Sequence, residues 1–404
     1  MKKTIYIIFS LLALTSCHAF KENPYEATLC RFAVEALYPE GYSSREGVAV
    51  RLEDINLGNS YSMSTDACGV ALFSVPTGLY RVNISDRNGE DIFNGAADRI
   101  QLKDDMHLQL SLKHSKAGAI VIKEIYCGGC KKLPEEGTYQ SDQYVILHNN
   151  GVDVQYLDGL CFGCLHPFNS TGTNPWIIKD DSTGETVYPD FLPVAQAIWQ
   201  FPGGGTDHPL QSGEDAVLCL RGAIDHSAQY PLSVNLNKEG YFVCYNPTYF
   251  TNTTYHPAPG SNISADHILD VVIKTGQANA YTFSQSSPTA VLFRAKGVTM
   301  AEFVQQEGSV IQTPGDSHNP VVAIPVDWTV DAVEVFNGSS ASNTKRLSPS
   351  LDAGYVALSQ TALGHTLMRK VDEELTRASG FEVLADTNNS IEDFYETEIQ
   401  SLHE

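Results

Sequence analysis

The sequence predicts an all-β protein: a small β-sandwich followed by a larger β-sandwich with long insertions. Two observations carry this reading. Apolar residues alternate with polar ones at a period of two in run after run, as half-buried strands require. Gly, Pro, Asn and Asp collect between the runs, where turns need them. A length of 404 residues leaves room for more than one domain.

The chain starts with a signal of its own. Lys2 and Lys3 precede an apolar stretch from Ile5 to Leu14, too short to span a bilayer and shaped like a signal-peptide core. It ends in Leu14-Thr15-Ser16-Cys17, which resembles the lipobox of bacterial lipoproteins. The resemblance implies loss of residues 1–16, a lipid on Cys17, and a tether running from Cys17 to residue 25. Acyl chains contribute about 0.8 kcal/mol per buried methylene, so several of them hold a protein firmly on a membrane. Lys21 followed by Glu22 resembles the surface-export signal of some gut Gram-negative bacteria. Outer-membrane anchoring is therefore expected, with the surface-exposed side favoured over the periplasmic one. The formal charge of −22 argues against binding nucleic acid, which needs a basic patch, and suits a solvated extracytoplasmic surface.

Residues 26–115 read as the first sandwich. Val48 to Leu52, Ala71 to Val75, Leu79 to Ile84 and His107 to Leu112 each alternate. The stretch Thr65-Asp66-Ala67-Cys68-Gly69-Val70-Ala71-Leu72-Phe73-Ser74-Val75-Pro76-Thr77-Gly78-Leu79-Tyr80 resembles the carboxypeptidase-regulatory-like, or prealbumin-like, β-sandwich. That resemblance implies a spacer or presentation module without catalytic residues, with Gly69 and Gly78 serving turns. Cys30 and Cys68 both fall here and are expected to pair as a disulfide, which an exported location permits.

Residues 116–404 read as the second region. Ile122-Lys123-Glu124-Ile125, then Tyr144 to Asn149, then Leu157-Asp158-Gly159 resemble the opening of lamin-tail domains, which are immunoglobulin-like sandwiches. Val333 to Phe336, Ala353 to Leu358 and Gly364 to Arg369 read as closing strands, with Asp386 to Ser390 and Asp393-Phe394 completing the pattern. The stretches 165–200 and 245–290 exceed what such a domain needs and are expected as insertions. Thr299 to Gln306 suits a short helix with Met300, Phe303 and Val304 on one side. As a whole, residues 117–400 resemble a family of gut-bacterial lipoproteins known only as a domain of unknown function.

Two C-x-x-C pairs, Cys127-Gly-Gly-Cys130 and Cys161-Phe-Gly-Cys164, are the main candidates for chemistry. Structural disulfides suit an exported chain. Four thiolates also suit a tetrahedral zinc site, so Zn is the one cofactor the sequence suggests. A redox dithiol is the third reading, although neither pair opens a helix in a βαβ unit. Cys219 and Cys244 sit in apolar runs and read as a disulfide or buried thiols. Three Asp-His pairs follow at 207–208, 225–226 and 266–267. His208 and His226 are expected to meet at one loop end as a weak metal or ligand site, against the plainer reading of turn chemistry. The aromatic residues Trp176, Trp199, Tyr245, Tyr249, Phe250 and Tyr255 suit either a stacking surface or a core. There is no P-loop, no G-x-S-x-G and no H-E-x-x-H.

The expected function is a non-catalytic binding or scaffolding lipoprotein, accessory to outer-membrane nutrient uptake and thus partnered with a transporter. The alternatives are a metal-binding lipoprotein using clustered Cys or His, and a surface hydrolase.

Overall fold

The computed structural model describes residues 29–89, 91–181 and 186–404. The expected signal peptide, Cys17, the tether, Lys21 and Glu22 lie outside them. Among the described residues no helix is long and apolar enough to cross a membrane. The protein is almost entirely β-structure.

Eight strands build the first module: β1 Leu29–Leu37, β2 Ala49–Asp54, β3 Ser60–Ser64, β4 Val70–Pro76, β5 Gly78–Asn88, β6 Asp91–Leu102, β7 Met106–Ser111 and β8 Lys113–Lys116. They form a five-stranded sheet in the order β3-β2-β5-β6-β8 and a three-stranded sheet in the order β4-β1-β7. β1 shows how sequence becomes layer. Cys30, Phe32, Val34 and Ala36 alternate inward beside Phe73 of the neighbouring β4 and meet Val50, Leu52, Tyr80 and Val82 from the facing sheet. Tyr80 is fully buried and spends its hydroxyl on the Pro76 carbonyl at 2.8 Å. Asp66 Oδ1 accepts the Cys68 and Val70 N–H groups, and Gly69 turns there with φ +80. Gly78 is needed for a different reason: a Cβ there would lie 3.1 Å from the Tyr80 ring.

The expected Cys30–Cys68 disulfide does not form. Cys30 is paired with Val75, whereas Cys68 lies beyond the other end of β4. Val70 to Val75 alone spans roughly 17 Å at the rise of a strand, far beyond the reach of a disulfide.

The second region pairs two larger sheets. A six-stranded sheet runs Phe242–Val243, Asp215–Cys219, Tyr144–Asn149, Ile120–Tyr126, Thr366–Arg369, Phe394–Thr397. The other sheet runs Val310–Thr313, Asp316–Pro325, Phe191–Gln200, Cys161–Leu165, Thr289–Phe293, Thr329–Asn337, Val356–Leu358, and Asp270–Lys274 also pairs with Phe191–Gln200. Between them lies a core of Ile122, Ile125, Val145, Leu147, Phe162, Leu218, Leu292 and Val335, centred on Trp199. Phe250 stacks on the Trp199 ring at 5.5 Å and Tyr281 meets its edge at 5.4 Å. The outer face of each sheet carries a further apolar cluster, one around Tyr126, Tyr144 and Val234, the other around Ile198, Phe293 and Trp328. Both sheets are thus covered on both faces, which accounts for the extra length.

Local details follow from single residues. A bulge makes Lys123 the extra residue opposite Ile146 and Leu147, so Ile122 and Ile125 both face the core. Lys123 then reaches Asp215 and Glu382 at 2.7 and 2.6 Å. Glu124 is fully buried and accepts the hydroxyls of Tyr144, Thr366 and Ser401. Phe191–Gln200, expected inside an insertion, is instead a strand bonded to three others. Pro193 and Gln196, the latter at φ +65, break the alternation that would have revealed it. Met300–Phe303 is a short helix closed by a reciprocal Thr299–Glu302 capping box.

Candidate functional site

The first module sits on the second through side chains that donate to main-chain carbonyls. Asn83 reaches the Ala353 carbonyl at 2.6 Å, and Asn94 reaches those of Thr387 and Asn388 at 2.7 and 3.0 Å. Arg87 bonds the Asp386 carbonyl at 3.1 Å and Arg99 that of Ala341 at 3.0 Å. Beside this contact the modules part and leave a cavity of about 930 Å³, within the range of small-ligand sites.

Its polar floor is organised by Arg81 on β5. The guanidinium meets Asp98 at 2.9 Å and Glu53 at 3.6 Å, and donates to the Asn343 carbonyl at 2.9 Å. It lies over the stacked rings of Phe336 and Tyr355, 5.1 and 5.6 Å from their centroids. Tyr355 donates its hydroxyl to Glu53. Asp98 can face Arg81 because β6 bulges there: Asp98 and Arg99 together oppose Arg81, and Arg99 takes φ +59. Burial works against the Arg81 charge, but Asp98, Tyr355 and Glu53 outweigh it and hold its pKa above the ordinary value. Lys345, fully buried at the same floor, donates to the carbonyls of Asp352 and Gly354. Burial pulls its pKa down, against Asp352 and Glu334.

The walls are apolar and open-edged. Ala96, Ala97 and Ile100 of β6 and Leu108 and Leu110 of β7 form one side. Val187, Tyr188, Pro189, Val326 and Pro349 form the other. Gly95 lets β6 come close, since a Cβ there would lie 2.8 Å from the Leu112 side chain. Lys113 and Lys179 also line the space and are exposed, with no acidic partner among the described residues. Both carboxylates of the floor are engaged by Arg81. The arrangement can hold a ligand with an apolar body and polar ends.

Comparison with known proteins bears on one wall of this cavity. Residues 211–401 match DUF4876, a family of proteins of unknown function. The matched segment carries Val326, Lys345, Pro349 and Tyr355, while the first module, Lys179 and the Thr186 to Asp190 wall lie outside it. A crystal structure of a DUF4876 family protein from Bacteroides thetaiotaomicron shares the fold, with 24% identity and a TM-score of 0.57 over 91% of this chain and 94% of that one. The Bacillus anthracis TIE protein is 11% identical over 66% of this chain and 46% of its own, at a TM-score of 0.18. The full-length major pilin SpaD from Corynebacterium diphtheriae is 9% identical over 50% of this chain and 70% of its own, also at 0.18. Scores that low say nothing about this fold. No curated protein matches the chain.

The residues singled out from sequence lie away from the cavity. All eight described cysteines are free thiols. Cys127 donates to the Gln285 carbonyl, while Cys130 turns to Asp142. Cys161 and Cys164 lie on one strand and enter different clusters on its two faces. The four are not gathered, and among the described residues no group of three or more His, Cys, Asp or Glu is placed to hold a metal. The reason is local: three positions along a strand point the two thiols to opposite sides. Cys219 and Cys244 are buried thiols on opposite faces of their sheet, although the Cys244 N–H bonds the Cys219 carbonyl at 2.9 Å.

The histidines are also kept apart. His208 packs against Phe242 and His267, with ring centroids 5.2 Å away in each case. His226 bonds the Tyr139 hydroxyl at 2.6 Å and the Gly222 carbonyl at 2.9 Å, and burial lowers its pKa against the pull of Asp142. Two aspartates anchor the triple-glycine loop: Asp158 accepts the N–H groups of Gly205, Asp207 and His208, and Asp207 accepts that of Gly204 at 2.7 Å. Of the aromatics, Trp199 and Phe250 are core, whereas Tyr249 and Tyr255 are exposed.

Sequence reasoning missed Arg81, Tyr355 and Lys345. Arg81 sits at an outward position of an alternating strand and reads there as solvated. It also missed Arg369, which is fully buried among Asp331, Asp386 and Asp393 at 2.7, 3.4 and 3.6 Å. An arginine inside an apolar run, Leu367-Met368-Arg369, was the available signal.

Proposed function

We propose that this chain is a membrane-anchored, cell-surface lipoprotein that binds a ligand in the inter-module cavity without transforming it. The cavity is the observation that carries this reading. It is lined from both modules and has an apolar body with a charged floor, whose carboxylates Glu53 and Asp98 are both ion-paired with Arg81. The N-terminal segment ending in Cys17 supports the anchor. Ligand capture at the surface supports a role beside an outer-membrane transporter, by analogy with other surface lipoproteins. With the cysteines apart, nothing favours the metal-binding alternative.

The test is native mass spectrometry of the mature lipoprotein released from its own membranes. A bound species lost from a cavity-filling Ser350→Trp variant is expected. A bare chain in both forms, from cells grown on rich medium, sinks the binding role. Radiolabelled palmitate on the wild type but not on Cys17→Ala tests the anchor.

A further inference from the structure

The cavity borders two strand edges that the fold leaves unpaired. β6 is a twelve-residue strand, yet β8 pairs only with its Asp91–Asn94 segment. Among the described residues, no strand is hydrogen-bonded to its outer edge from Gly95 to Ile100. β7 ends the three-stranded sheet and pairs with β1 alone. The open parts of both strands, Ala96 to Ile100 and Leu108 to Ser111, line the cavity. One edge comes from each sheet of the sandwich, so the space is a gap in the seam of the module, and half-buried Ala97, Ile100 and Leu108 of its core face into it.

Unpaired main-chain donors and acceptors beside an apolar space are costly, and proteins cover or pair such edges. Here the far wall of Val187, Pro189, Val326 and Pro349 stands across a gap instead of covering them. A ligand that pairs with an edge must present donors and acceptors at the strand spacing of about 3.3 Å per residue. Another main chain does this; a sugar or a bare acyl chain does not. Alternate side chains of an added strand would meet the Ile100, Leu108 and Leu110 wall. Lys113 and Lys179, cationic and without acidic partners in a chain of formal charge −22, face the same space. They suit a carboxylate.

We propose that the cavity takes an extended peptide, added as a strand at the β6 or β7 edge, with a carboxylate set against Lys113 and Lys179. The proposal rests on the cavity being a binding site, and names its ligand class. The backbone ladder supplies binding tolerant of sequence, and the apolar wall selects small or branched side chains at alternate positions.

The probe is a pool of N-acetylated hexapeptides that alternate apolar and polar residues and end in glutamate with a free carboxylate. Hydrogen exchange of the mature lipoprotein is read by mass spectrometry. The pool is expected to slow exchange at least tenfold in peptides covering 96–100 or 108–111. The Lys113→Gln, Lys179→Gln double variant should lose about tenfold in affinity for the pool, and little for the same pool amidated with glutamine at its end. A backbone N-methylated pool should give no protection. Absence of protection in both segments, or equal protection by the N-methylated pool, overturns the peptide proposal. If Ser350→Trp still displaces a bound species in that case, the cavity binds something else and only the ligand class falls. If it displaces nothing, both readings fall together.

Discussion

Arg369 and Asp331 meet at 2.7 Å in a place where both side chains are almost wholly hidden from water. The guanidinium also reaches Asp386 and Asp393, donates to the Ile122 carbonyl at 2.7 Å, and lies over the Phe394 ring at 4.7 Å. Asp386 in turn accepts the Gly118 N–H, just where the chain enters the second region. One cation thus ties the opening strand, the strand Thr329–Asn337 and the closing segment of the fold.

Replacing this cation should be severe. Arg369→Met leaves three carboxylates buried near one another without a counter-charge, and breaking such a group costs roughly 3–5 kcal/mol. A matching fall in unfolding free energy by urea titration is expected. A loss below 1 kcal/mol would show that the cluster is not sealed from water.

The same cluster sets a pH dependence. Burial lifts the Asp393 carboxyl to about 7, against the pull of Arg369. In the unfolded chain an aspartate titrates near 3.9. The folded state therefore holds this proton more tightly, and the stability it adds is full below about pH 4 and is lost as pH rises through about 7. Asp331 shifts in the same direction, by burial and by its neighbour Asp386 against Arg369. The gap in stability between wild type and Asp393→Asn should change across pH 5 to 8. Parallel profiles of the two proteins over that range would contradict it.

The joint between the modules depends on a few amides. Asn94 is fully buried and supplies two of its bonds, so Asn94→Ala should weaken docking by roughly 1–2 kcal/mol. Faster proteolytic cleavage between Lys116 and Ala119, with both modules still folded by circular dichroism, is the expected result. Unchanged cleavage would mean that Asn83, Arg87 and Arg99 suffice.

The thiols give a direct count. Of the eight described cysteines only Cys68 is exposed. Burial pushes Cys127 and Cys130 up to about 12 and Cys164 to about 11, so they are protonated and inert at neutral pH. A thiol reagent should titrate Cys68 at once in the folded protein, and the remaining seven only after unfolding. Fewer thiols in the denatured, unreduced chain would restore the disulfide reading.

The alternation of Val48 to Leu52 and of Ala71 to Val75 was readable because one face is buried and one is not. The turn at Asp66 and Gly69 was readable because its chemistry is local. The C-x-x-C pairs misled because spacing says nothing of strand or turn. Cys161 and Cys164 would converge in a tight loop and diverge on the strand they occupy. The cavity was hidden for another reason. Its walls come from β2 and β5 to β8, from Lys179 and Thr186 to Asp190, and from Val326 to Ile391, segments related only by how the modules dock. The docking bonds of Asn83, Asn94, Arg87 and Arg99 end on carbonyl oxygens, which every residue carries, so no side-chain pattern announces them.

β1 receives the chain from its N-terminal side and lies between β4 and β7, parallel to the latter. A pull on the segment before Leu29 therefore runs along β1 and loads both ladders lengthwise. Their hydrogen bonds must then give way together, whereas a strand peeled from an edge loses them one at a time. In the module nearest the expected lipid, mechanical load thus enters through a central strand held on both sides.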